Sequence, residues 1–308
     1  MFNLSIIGEA IRMSSPILLA GTGTLYNDRA GVTNITIEGT MLLSGFFAVA
    51  CSYLTSNWIF GALAGVLTGV LVSIVFFTLT TWLGGDELVV GFSLNILLDG
   101  FSVFLLRQLF HRSGSLVDPR IQGIPTISVK FLRKIPVIGP MFTPQTWIVY
   151  FAFALAIFTW FIFNRTPFGL RIVACGENAE AAATVGINVL RSRFWCNIIS
   201  GALSGLAGVQ ISLGYLSLFT RGMTVGRGFI ALGSVIFSRG NPIRLIGVCL
   251  LFGFSEALSN KMQLLQLPSE LVLILPYLAV VILTLIRFDR SKKLLSSRGS
   301  SKQKVSAS

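Results

Sequence analysis

The chain has 308 residues, 53% of them hydrophobic and only 12% charged, with a mean hydropathy of +0.79 and a formal net charge of +12. Soluble domains carry about 25% charged residues, and one this apolar would expose large greasy patches, so a water-soluble globule is excluded. Nor does the positive charge mark a nucleic-acid binder, because the basic residues collect in loops and in the tail, the pattern of cytoplasmic membrane loops.

Residues 4–26 form a first apolar element interrupted by Glu9 and Arg12. Without a small-residue cleavage site it does not read as a removable signal peptide. After the polar patch Tyr26-Asn27-Asp28-Arg29, the stretch Gly31–Gly39 (GVTNITIEG) reads as an irregular lead-in to a second helix over about 40–55. Between Glu38 and Asp86 lie 47 residues without Asp, Glu, Lys or Arg, enough for two spans of about 20 residues each. A third helix is therefore expected over 58–83, closed by Gly84-Gly85-Asp86-Glu87, and a fourth over 88–107. Pro119, Pro125, Pro136, Pro140 and Pro144 deny residues 108–145 one continuous helix.

A fifth helix is expected over 146–163, a basic loop with its own helical piece over 164–193, and a sixth helix over 194–216. Gly222–Ser238 holds Arg227 and four glycines, and its uncharged core, Gly228–Ser238, has eleven residues. That is too short to cross alone, so a broken or re-entrant helix is expected. Helices over 243–260 and 268–287 complete an all-α, polytopic transmembrane bundle of about eight to ten membrane elements. It occupies residues 1–287, and a basic tail without structure of its own, 288–308, follows.

Orientation follows from Lys and Arg. The tail, from Arg287 on, and the loop with Arg165, Arg171, Arg191 and Arg193 are both placed in the cytoplasm. An even number of crossings must then separate them, which counts the broken element as one crossing. Loop 108–145 consequently faces outward, against its own basic residues, a conflict softened because longer loops obey the rule poorly.

Several chemistries are missing. No Gly-Lys dipeptide occurs, so there is no G-x-x-x-x-G-K-[ST] phosphate loop. His111 is the sole histidine, which removes a two-histidine zinc helix. Cys51, Cys175, Cys196 and Cys249 show no metal or disulfide spacing and read as small apolar packers. No cofactor is expected on this chain, and any nucleotide engine belongs to a partner.

Ionisable groups at membrane depth are costly and usually face a bundle interior or water. Glu38, Asp99, Arg227 and Glu256 fit that description. Asn95 and Asp99, four apart, share one helix face, and Asn34 and Glu38 sit where glycines let the backbone open. With Phe229, whose ring serves packing or stacking, the candidate solute path is Asn34, Glu38, Asn95, Asp99, Arg227 and Phe229. Each has a plainer alternative as an interhelical contact worth about 0.6 kcal/mol. In the basic loop, Asn178 can cap a short alanine-rich helix with Glu180 in its first turn and Gly186 at its end. Such a helix is a lever on which another protein can push, or simply a surface helix.

Glu180-Ala181-Ala182 followed after three residues by Gly186 resembles the E-A-A-x-x-x-G pattern by which importer permeases dock their ATPases. Ala30–Met41 (AGVTNITIEGTM), Thr166–Gly186, Ile199–Gly208, Gly226–Pro242 and Leu275-Pro276-Tyr277 resemble, in order, the ABC importer permeases for ribose, branched-chain amino acids and nucleosides. The NITIEG stretch is most similar to the nucleoside branch, and Asp99 departs from the family at a position that is usually apolar. The resemblance implies a multi-pass subunit of the bacterial cytoplasmic membrane. It implies docking of an ATPase at Glu180, Ala181, Ala182 and Gly186, a second homologous permease chain, an extracytoplasmic binding lipoprotein, and ATP with Mg on the ATPase. Within transport the alternatives are a sugar or branched-chain amino acid permease. A secondary transporter would need no docking helix, and a membrane enzyme would need nucleophile or paired-acid motifs that the chain lacks.

Overall fold

The computed structural model describes residues 5–127 and 145–263. The anticipated helix over 268–287, Leu275-Pro276-Tyr277, the tail and most of the proline-rich stretch lie outside the described residues. The chain divides into two compact units, Met1–Phe254 and Ser255–Ser308, and the candidate site belongs to the first.

Ten α-helices fill the described residues: α1 (Ser5–Arg29), α2 (Ile37–Thr55), α3 (Trp58–Phe77), α4 (Glu87–Phe110), α5 (Trp147–Arg165), α6 (Pro167–Glu177), α7 (Ala179–Thr184), α8 (Val189–Val209), α9 (Arg227–Ser238) and α10 (Pro242–Gln263). π-Helical turns continue α3 through Trp82 and α8 through Leu216. Among the described residues, six helices are long and apolar enough to cross a membrane. The all-α expectation holds, apart from two small antiparallel pairs: β1 (Ser115–Leu116) with β4 (Phe219–Thr220), and β2 (Thr126–Ile127) with β3 (Gln145–Thr146).

Local chemistry accounts for the ends. Asp86 caps α4 by accepting from the backbone N–H groups of Leu88 and Val89, both at 3.0 Å. Asn57 and Asn188 do the same for α3 and α8. The Asn188 cap starts α8 five residues earlier than the charge pattern predicts, because Arg191 and Arg193 lie inside its first turns and not in a loop. Inside α1, Pro16 cannot donate to the carbonyl of Arg12, and the Ser15 hydroxyl donates to it instead, at 2.9 Å.

At the centre, α8 packs against α1, α2 and α3, while α9 lies along α1. Close approach rests on glycine. A Cβ on Gly69 of α3 would overlap the Gly201 carbonyl of α8, and a Cβ on Gly201 would overlap that of Gly69. Small residues thus let two apolar helices touch along their backbones, which replaces the hydrophobic drive that lipid cannot supply. By contrast α4 turns Val89, Phe92, Ile96, Leu97 and Phe104 outward.

The contacts define two ends. At one, Gln145 donates to the Gly8 carbonyl at 2.9 Å, Arg12 lies over the Tyr215 ring and Trp58 meets Trp147. At the other, Arg29 closes α1 beside α6 and the α9–α10 turn, with Trp82 and Trp195 exposed nearby along α3 and α8. Tryptophan at both ends is the signature of two membrane interfaces, and α1, about 37 Å long at 1.5 Å per residue, connects them. Residues 111–127 occupy the end opposite α6 and α7, as the crossing count requires. The broken element also resolves. It leaves β4 at the first end and finishes at Gly240 beside Arg29 at the other, so it crosses and does not turn back.

Candidate functional site

The site is built around the α1–α2 connection. Gly31, at φ +71°, reverses the chain after α1. The Asn34 side chain then accepts from the backbone N–H of Thr36 at 2.9 Å and from its hydroxyl at 2.6 Å, and donates to Asn197 Oδ1 at 3.2 Å. Asn27 donates to the same oxygen at 3.3 Å, and Asn197 in turn donates to the Ser73 carbonyl. One buried amide on α8 therefore joins α1, the connection and α3. Sequence reasoning missed Asn197; the available signal was one of only two side-chain amides, with Gln210, inside the uncharged stretch 194–220.

Asn95 reaches from α4 to both sides of the start of α2. Its Oδ1 accepts from Gly39 N at 2.8 Å and its Nδ2 donates to the Ile35 carbonyl at 2.8 Å. One turn on, Asp99 is half-buried at the middle of α4, its carbonyl accepting from Ser102. Among the described residues no hydrogen bond or ion pair engages its carboxylate.

Glu38, one residue into α2, points at α9. Its two carboxylate oxygens accept from Gly226 N at 2.9 Å and Gly228 N at 2.7 Å. The donors are unsatisfied groups of the first turn of α9, the positive end of the helix dipole, so a carboxylate is the natural cap. A Cβ at Gly228 would sit 2.6 Å from the Glu38 backbone, so glycine is needed for the approach. Between these two donors, Arg227 is half-buried and donates to the Met223 carbonyl at 3.2 Å. Phe229 is 44% exposed. The structure thus brings Asn34, Glu38 and Asn95 together around one segment, adds Arg227 and Phe229 through α9, and leaves Asp99 one turn beyond on α4.

At the α6–α7 end, Thr166 caps α6, with Pro167 at its first position, and Asn178 caps α7 by accepting from Ala181 N at 2.9 Å. The single helical piece expected here is two helices. Glu180 and Ala181 are exposed and Ala182 is buried. Gly186, at φ +83°, donates to the Ala183 carbonyl while Ile187 N donates to that of Ala182, which ends the helix. Beside it opens a cleft of about 650 Å³ lined by Phe168, Arg171, Gly186, Asn188, Arg191 and Trp195. Its exposed aromatic and guanidinium groups suit a protein surface, and no motif signalled it. Among the described residues no group of three His, Cys, Asp or Glu side chains could hold a metal ion.

Residues 6–285 match the family described as the permease component of the branched-chain amino acid transport system. The chain belongs to this permease family. It is 32% identical to a guanosine ABC transporter permease of Bacillus subtilis, over 91% of each chain. It is also 32% identical to a protein of Haloferax volcanii named as a glucose ABC transporter permease, over 86% of this chain and 80% of that one. Among solved structures, a metal-chelate type ABC transporter in an inward-facing conformation superposes with a TM-score of 0.51 at 16% identity, covering 91% of this chain and 85% of that one. That likeness speaks to the fold alone. The permease is thus a multi-pass membrane subunit of an ABC transporter.

Proposed function

We propose that the permease forms part of the membrane path of a bacterial ATP-driven importer for nucleosides. The observation that carries the solute class is the end-to-end likeness to the guanosine permease, with the Asn34–Gly39 stretch as its local counterpart. The path runs beside Asn34, Glu38, Asn95, Asp99, Arg227 and Phe229. Asp99 is its most telling member, because an unpaired carboxyl midway along an outward-facing helix calls for water or a partner chain and not lipid. A second homologous permease chain supplies the other wall.

An ATPase docks on Glu180, Ala181, Ala182 and Gly186 and fills the adjoining cleft, while ATP and Mg reside on that ATPase and this chain holds no cofactor. The α6–α7 end faces the cytoplasm across the inner membrane. An extracytoplasmic binding lipoprotein lands on the opposite end, where His111, Arg112, Arg120 and Arg221 are exposed.

Uptake of radiolabelled guanosine and uridine by cells lacking this chain tests the reading. Energy-dependent nucleoside uptake is lost, free ribose competes poorly, and Glu38→Ala lowers the maximal rate more than the apparent affinity. The glucose-named relative favours a second reading, a sugar importer. Loss of sugar uptake with nucleoside uptake intact would select it, and the permease assignment would stand.

A further inference from the structure

The stretch Arg29–Glu38 holds α9 at both of its ends. At the far end, Arg29 Nε and Nη2 donate to the Gly240 carbonyl at 2.9 and 2.7 Å. At the near end, Glu38 grips Gly226 and Gly228. The same stretch touches the α6–α7 unit backbone to backbone. A Cβ at Gly176, the penultimate residue of α6, would overlap the Arg29 carbonyl, and one at Gly31 would lie 3.2 Å from Gly176 Cα. Arg193, in the first turns of α8, adds a bond from its Nε to the Ala30 carbonyl at 3.2 Å.

Backbone contacts of this kind have no rotamers through which displacement can leak away. The Glu38 bonds are charge-assisted and double, which fixes direction as well as distance. An element clasped at both ends by one short segment follows that segment, and this segment bears directly on α6.

We propose that Glu38 is a positioning residue for energy coupling: through Arg29–Glu38, helix α9 moves as one body with α6–α7, so a push on α7 is delivered to the start of the broken crossing. This rests on the reading of α6–α7 as the ATPase dock. It adds which membrane element the dock moves and which side chain carries the motion.

Spin labels at Ala183 of α7, Ile236 of α9 and Ile96 of α4, in the complete transporter in lipid nanodiscs, test it directly. Between nucleotide-free and ATP-trapped states the 183–236 distance stays constant while the 96–236 distance changes. Equal changes in both would overturn the inference while leaving ATPase docking intact, whereas a permease that fails to copurify any ATPase removes the docking reading itself. Gly228→Ala, which forces the clasp apart and spares the carboxylate, keeps ATP hydrolysis but lowers solute moved per ATP about tenfold, the loss expected of an ordinary coupling. An unchanged ratio of transport to hydrolysis in a membrane-inserted variant counts against the proposal.

Discussion

Asn197 shows how much one side chain can organise in a lipid-facing protein. Its amide takes two donors from α1 and the α1–α2 connection and gives one to α3. Interhelical bonds in membranes average about 0.6 kcal/mol, but buried groups stripped of partners cost about 1–3 kcal/mol. Asn197→Leu, close in volume, should therefore destabilise the purified permease by about 1–3 kcal/mol. Thermal unfolding in detergent measures this, and an unchanged midpoint would mean that Asn27 and Asn34 find other partners. Asp99 predicts the opposite balance. Asp99→Leu removes a costly charge from mid-helix, so membrane abundance should hold or rise while solute uptake falls. Undiminished uptake would remove Asp99 from the path.

At the scale of elements, conformation and contact separate two glycines. Gly186 has open space where a Cβ would go, but its φ of +83° strains any β-branched residue. The local cost is about 1–3 kcal/mol, enough to distort α7 and too little to unfold the bundle. Gly186→Val should thus abolish uptake at normal membrane abundance, with the ATPase no longer copurifying. Normal uptake would refute the docking role. Gly201 is different, because its Cβ would overlap backbone of α3. Gly201→Val should lower the amount of folded permease in the membrane, which fluorescence-detected gel filtration reads out. Two residues of one type thus fail by different routes.

For the whole molecule, the proposed function places the energy source on a partner chain. With no phosphate loop in 308 residues, the pure permease should hydrolyse no ATP. Turnover should appear only when its nucleotide-binding partner is added, and a rigorously pure chain with activity would contradict this.

The order of the long helices among the described residues was legible in the sequence because a bilayer imposes about 20 apolar residues per span. Length and hydropathy therefore marked α3, α4 and α5 nearly to the residue. Caps were legible too, since Asn178 and Gly186 act on neighbours within four positions. What the tertiary structure alone decided is pairing over distance. Glu38 and Asn95 stood out as polar groups at depth, yet only the fold shows that their partners are backbone groups at 226, 228, 35 and 39. That Gly176 meets Arg29 was equally hidden. The reason is physical: a backbone N–H at a helix start is present in every sequence, and which carboxylate reaches it depends on how helices far apart in the chain are packed.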